Sequence, residues 1–320
     1  MIYILQVLFV LGLMAVGYGA RKRGVVGEAG TREMARVLMS IIYPCLIFTS
    51  VTRLNVQALV ANWKMPLLAI LLSGTGLGLG LLSLRFISKV NTQRASAILF
   101  QSMINNYLFL PLPLVLLLWG KEGVALMVFA SIGFELVVWS VGIFLFNRAN
   151  RLSDSLRMML GPPLISLLFS ILWVCVRDLF HPALPSGEFG TLLGRVVILF
   201  QDGMKFIGHA TIGVSMIVAG SRIAALNMKN VFDPHIWIIS TLRLLVIPIA
   251  YILLLKLFHL EPVAYGILCV IGVMPVAVAS LVFSERFDGD TDFIATTLLV
   301  THLGAIITVP LLLAWALPAI

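Results

Sequence analysis

The sequence predicts an all-α integral membrane protein of ten transmembrane helices, arranged as two inverted repeats of five. Three observations carry that reading. Hydrophobic residues fill 60% of the 320 positions and charged residues only 11%, against about a quarter charged in ordinary soluble domains. Apolar runs of spanning length recur along the chain with short polar connections. The fourth and ninth of these runs are both interrupted by proline, Pro111 and Pro113 in one and Pro275 in the other, where an uninterrupted helix would be expected.

The runs fall at about 1–20, 34–53, 65–87, 95–119, 122–146, 162–181, 203–221, 235–257, 262–284 and 292–318. The first is followed by RKR at 21–23, whereas a secretory signal carries its charge in front, so it reads as a retained helix with its start outside. Connections after the odd-numbered runs carry Arg21, Lys22, Arg23, Arg32 and Arg36, then Arg85, Lys89 and Arg94, then Arg148, Arg151 and Arg157, then Arg222 and Lys229, and lastly Arg286. Connections after the even-numbered runs are poorer, with Arg53, Lys64, Lys121, Arg177 and Lys256. Cytoplasmic loops are enriched in Lys and Arg, so the odd connections are expected to be cytoplasmic and both termini outside, in the plasma membrane. This scatter of short basic clusters also explains the net charge of +8 and argues against a nucleic-acid partner, which would ask for one basic face. Cys45, Cys175 and Cys269 each stand alone in an apolar run. They lack the spacing of a disulfide framework or zinc motif and read as packing residues.

The connection NRANRLSDSLRMMLG at 147–161 divides the runs five and five, giving repeats at 1–146 and 162–320. An odd number in each half makes the second enter the membrane in the opposite sense, the condition for an inverted repeat. The interrupting prolines then lie in the fourth run of each half, and interruptions at matching positions point to a substrate site. A helix that breaks and restarts presents unpaired N–H groups and the positive end of its dipole, which suits an anion without any basic side chain. Beside the first break, Asn106 reads as an amide donor to that anion. The alternative for Asn105 and Asn106 alike is that they hydrogen-bond carbonyls freed by the break. Pro44, Pro66, Pro248 and Pro310 read as packing kinks.

Counting about 1.5 Å per residue places Glu135, Arg243 and His302 near the centre of the bilayer. Buried ionisable groups are paired or functional, so these three are candidate proton or coupling residues, with a Glu135–Arg243 ion pair as the structural alternative. Asp202, Lys205 and His209 share a face of the seventh run and read as interfacial anchors, or alternatively a gate. GTGLGLG at 74–80 follows no strand and is read as close helix packing through Gly74/Gly78 and Gly76/Gly80. No serine sits in a nucleophile elbow and no ligand spacing occurs, so no catalytic residue, metal or cofactor is expected.

Four stretches carry a resemblance: IIYPCLIFTSV at 41–51, NNYLFLPLPLVLL at 105–117, STLRLLVIPI at 240–249 and MPVAVASLVFSERFDGDTDFIATTLLVTHLGAIITVPL at 274–311. They resemble the auxin efflux carrier family, including its bacterial members, over essentially the whole chain. The resemblance implies a scaffold of helices 1, 2, 6 and 7 and a moving transport unit of 3, 4, 5, 8, 9 and 10, with broken helices 4 and 9 crossing at the site. It implies transport of small organic anions, auxin in plants and carboxylates such as malate or malonate in bacteria. The family's crossover asparagine lies seven residues before a proline, a spacing matched by Asn106 and Pro113. Plant members have glutamine after the helix-9 proline where this chain has Val276, which speaks against auxin. The candidate substrate site is therefore Asn105, Asn106, Pro111, Pro113, Pro275, Val276 and Ser280, in a bilayer-embedded carrier for which a homodimer stays open. Two other classes stay open. A sodium-coupled symporter of the bile-acid type would want polar ligands that GVMPVAVAS lacks, and a membrane-embedded sensor or enzyme would want catalytic spacing.

Overall fold

The computed structural model describes residues 2–87, 90–146, 161–180, 192–225, 231–286 and 289–317. The connection at 147–161, apart from Gly161, lies outside the described residues, as do Lys89, Arg148, Arg151, Arg157 and Lys229. Within them the protein is all helical, and seven helices are long and apolar enough to cross a membrane. The helices are α1 Ile2–Lys22, α2 Glu28–Val51, α3 Lys64–Leu84, preceded by the short helix Val56–Ala61, α4 Thr92–Met103, α5 Pro111–Phe146, α6 Pro162–Phe180, α7 Leu192–Ala225, α8 Pro234–Leu255, α9 Pro262–Gly272, α10 Ala279–Arg286 and α11 Thr291–Ala316. The fourth expected run is thus split between α4 and the start of α5, and the ninth between α9 and α10.

Local chemistry explains most boundaries. Asn55, Asn91, Asp233 and Asp290 each accept a backbone N–H of the turn that follows, at 2.7, 2.8, 2.9 and 3.2 Å, satisfying donors that a helix start leaves unpaired. Inside α5, Gly120 adopts φ 62° and ψ −155°, a left-handed conformation open to glycine. It is the turn between the fourth and fifth expected runs. Pro44 and Pro248 are not simple kinks. Each follows a π-turn, Leu38–Ile42 in α2 and Leu242–Val246 in α8, which contains the carbonyl four residues back that each proline leaves without a donor.

α1 lies along α7, and α2 packs on α6 and α7; α3 packs on α4 and α5, α5 on α9, and α8 on α11. The two sets meet where α2 touches α5 and α1 touches α11. The main core spans both sets, with fully buried Val51 of α2 and Met216 of α7 in the same cluster as Leu72, Phe134 and Tyr251, and the Tyr251 hydroxyl donates to the Leu68 carbonyl at 3.0 Å. Of the glycines in α3, Gly76 and Gly80 face Ser102 of α4, while a side chain at Gly74 or Gly78 would meet open space. Cys45 and Cys269 are buried, as packing residues should be, but Cys175 is exposed.

Candidate functional site

Two breaks meet inside the protein. α4 ends at Met103, Ile104 turns extended at φ −111° and ψ 120°, and helix resumes at Pro111. α9 ends at Gly272 and helix resumes at Ala279. Asn105 pairs antiparallel with Val276, the Asn106 N–H donates to the Pro275 carbonyl at 2.8 Å, and the Ala277 N–H donates to the Ile104 carbonyl at 3.3 Å. Each break thereby satisfies backbone groups of the other, as irregular chain within a membrane protein must. The crossing is closed to solvent, with Asn105 and Val276 at 0% exposure.

The asparagines divide two tasks. Asn105 Nδ2 donates to the Ile271 carbonyl in the last turn of α9, the carbonyl-binding alternative read from sequence. Asn106 Oδ1 accepts from the Phe109 and Leu110 amides at 3.1 and 3.4 Å and so caps the restart of α5. This corrects the expectation of an open anion site at that helix start. Pro111 and Pro113 carry no N–H, Asn106 takes the two amides before them, and the Leu112 amide donates to the Leu108 carbonyl. One side-chain donor at the break, Asn106 Nδ2, is buried and has no partner among the described residues. Across the crossing, Ser280 Oγ donates to the Ala277 carbonyl at 2.6 Å, and Val276 packs with Val278 and Leu298.

The ionisable residues do not pair as expected. Arg243 and Glu135 form no ion pair with each other; Arg243 is held by carbonyls and Glu135 by neutral donors. Fully buried Arg243 donates from Nε to the Met274 carbonyl at 3.2 Å, from Nη1 to Ser102 at 3.2 Å and from Nη2 to Gly272 at 2.9 Å. Its charge thus sits at the negative C-terminal ends of both α4 and α9. Glu135 accepts from the Tyr107 hydroxyl at 2.8 Å and Trp139 Nε1 at 2.7 Å, and Tyr107 stacks on Phe134 with centroids 4.6 Å apart. Glu135 is therefore tied to the first break through Tyr107. His302 Nδ1 bonds the Leu298 carbonyl of its own helix at 2.8 Å, while its Nε2 is buried without a partner among the described residues. On α7, Lys205 and His209 come into electrostatic range of Lys121 on α5 and of Arg53 in the turn after α2, so basic groups gather there.

Sequence reasoning missed three features. Gln101 Oε1 and Ser102 Oγ are buried without partners among the described residues, as is Asn105 Oδ1, so the polar stretch to notice was QSMINN at 101–106. Tyr107, inside NNYLFLPLPLVLL, carries no signal of its own in the sequence, yet its hydroxyl reaches Glu135. Arg94 was read as a topology signal, yet it bonds Asp233 at 2.6 Å and Asp290 at 2.8 Å, joining the starts of α4, α8 and α11.

A membrane transport protein family model matches residues 2–155 and 150–313. The chain belongs to this family of membrane transport proteins, the auxin efflux carrier family. It is 25% identical over 316 residues to an uncharacterized transporter of Methanocaldococcus jannaschii, covering 95% of this chain and 96% of that one. It is 23% identical over 310 residues to an uncharacterized transporter of Methanothermobacter thermautotrophicus, covering 95% of each. The uncharacterized transporter YfdV of Escherichia coli is 21% identical over 313 residues, covering 97% of this chain and 96% of that one. The groove of about 390 Å³ between α8 and α11, lined by Trp237, Ser240, Leu244 and Leu303, contains none of the crossing residues.

Proposed function

We propose that this membrane transport protein is a secondary carrier of small organic anions, carboxylates in particular, working by elevator-type alternating access with the substrate held at the crossing. In this reading ten spans form two inverted repeats, 1–146 and 162–320, joined by a cytoplasmic linker at 147–161. The fourth span is α4 with the first turns of α5, and the ninth is α9 with α10. Helices 1, 2, 6 and 7 are the scaffold, and both termini lie outside the plasma membrane.

The observation that carries the proposal is the paired break with Asn106 Nδ2 left as a buried donor. Two further features support it. A fixed guanidinium at the same crossing offsets the negative helix ends there, so an anion does not meet uncompensated carbonyls. The packing of α1, α2, α6 and α7 among themselves, and of α3, α4, α5, α8, α9 and α11 among themselves, fits two bodies that move past each other.

The test is a melting-temperature screen of purified protein against mono- and dicarboxylates, followed by exchange of the best stabiliser in proteoliposomes. A carboxylate that raises the melting temperature and is exchanged supports the proposal. A panel without any stabiliser, together with no carboxylate flux, defeats it.

A further inference from the structure

Where a helix stops inside a membrane, its last carbonyls lose their amide partners and the negative end of its dipole is exposed. In carriers driven by ions, carbonyls of this kind hold the coupling cation. Here two such ends converge. One guanidinium takes Ser102 from α4 together with Gly272 and Met274 from α9 and its break, and Asn105 takes Ile271. Each helix C-terminus is equivalent to roughly half a negative charge, so two of them offset about one positive charge. That is the charge Arg243 brings, and it explains how an arginine with 0% exposure persists with no ion pair among the described residues.

The surroundings hold it in place. Arg243 lies within the π-turn Leu242–Val246, an irregularity frequent at functional positions. A side chain at Gly76 would meet the Ser102 carbonyl itself, so glycine there lets α3 back directly onto the oxygen that Arg243 binds.

We infer that Arg243 is a resident cation, filling the place between the two broken helices where a coupling metal cation would sit, so that this carrier works without sodium or another alkali cation. The inference rests on the carrier reading above but concerns the cation side of the crossing. A sodium ion about 4 Å from the guanidinium would bind on the order of a thousandfold more weakly for like-charge repulsion alone at an effective dielectric of about 20.

The test uses full-length protein in detergent, melted at constant ionic strength in sodium, lithium, potassium or choline chloride, with and without low guanidinium. Wild type should melt at one temperature in all of them. Arg243→Ala and Arg243→Gln should melt about 5 °C or more lower and recover part of the loss with guanidinium or sodium, while Arg243→Lys, which keeps the charge, should stay closest to wild type and insensitive to cations. Should the Ala and Gln variants not fold while Lys does, the need for a charge is shown by that difference. A sodium-specific rise in wild type overturns the inference whatever the variants do. So does a folded Gln variant that melts as high as Lys, or folded Ala and Gln variants that no cation restores. No arm contains a carboxylate, so failure of the anion screen and failure of this inference are separate results.

Discussion

The two breaks solve the same problem with opposite means. The first, 104–110, is supplied from its own sequence: Asn106 caps the restart and Pro111 and Pro113 remove amides that would otherwise need acceptors. The second, 273–278, is almost wholly apolar, and the ends of α9 are satisfied from elsewhere, by Asn105 from the first break and Arg243 from α8. The polar side chains of the crossing thus come from the first break and from α8, and the second break itself supplies only backbone groups. Variants of the first break should therefore disturb both, and variants of the second should do little.

The largest effect is expected at Asn106. Asn106→Ala removes a donor to a charged ligand, about 1.5–3 kcal/mol, or roughly tenfold to hundredfold in affinity, and removes a cap worth about 0.5–2 kcal/mol of stability. Asn106→Asp separates the two, since it keeps the capping oxygen while losing Nδ2 and adding a negative charge. Its melting temperature should stay near wild type as carboxylate binding falls further, measured by calorimetry alongside thermal melting. Binding at wild-type strength in Asn106→Asp would exclude Nδ2 from the site.

Asn105→Ala comes next, with a loss of stability of about 1–3 kcal/mol from a carbonyl left short of a donor. The lower end is expected because the Met274 amide also donates to the Ile271 carbonyl, at 3.2 Å. Thermal melting should register the loss while anion affinity holds, and the reverse pattern would mean that the two asparagines have exchanged roles.

Glu135→Gln should be milder still. No arginine is orphaned by it, because Arg243 is held by carbonyls, and the cost is one poorly matched donor contact with Tyr107 or Trp139, about 1 kcal/mol. Its expected signature is functional: uptake driven by a pH gradient is lost while substrate exchange at equilibrium continues. Retained pH-driven uptake would rule out Glu135 as the proton carrier.

The smallest effect is expected at Pro275. Restoring an N–H with Pro275→Ala does not let α9 propagate, because the carbonyls a continued helix would need, Ile271 and Gly272, are already bound by Asn105 and Arg243. A stability change of about 1 kcal/mol or less and near-normal flux should result. Collapse of transport in this variant would show that the proline itself, and not the borrowed side chains, keeps the second break open.

By itself the sequence determined the membrane class, the interruption of the fourth and ninth runs and the polar pair Asn105 and Asn106 beside the first of them. These follow from local chemistry: hydropathy over a span, the missing amide of proline, and a polar group in an apolar run all act within a few residues. What only the tertiary structure decided was the choice of partners. Arg243 and Glu135 read as mates because a buried charge in isolation calls for an opposite charge. In the fold, two helix C-termini supply the negative end for Arg243 and two neutral donors supply Glu135. Likewise Asn106 spends its oxygen on its own helix start and keeps only its amide free, and the prolines of α2 and α8 are absorbed by π-turns. A hydrogen bond is made with whichever freed group comes within about 3 Å, and at the crossing such groups come both from the next helix, as with Gly272 and Arg243 at a separation of 29, and from far along the chain, as with Ser102 and Arg243 at 141.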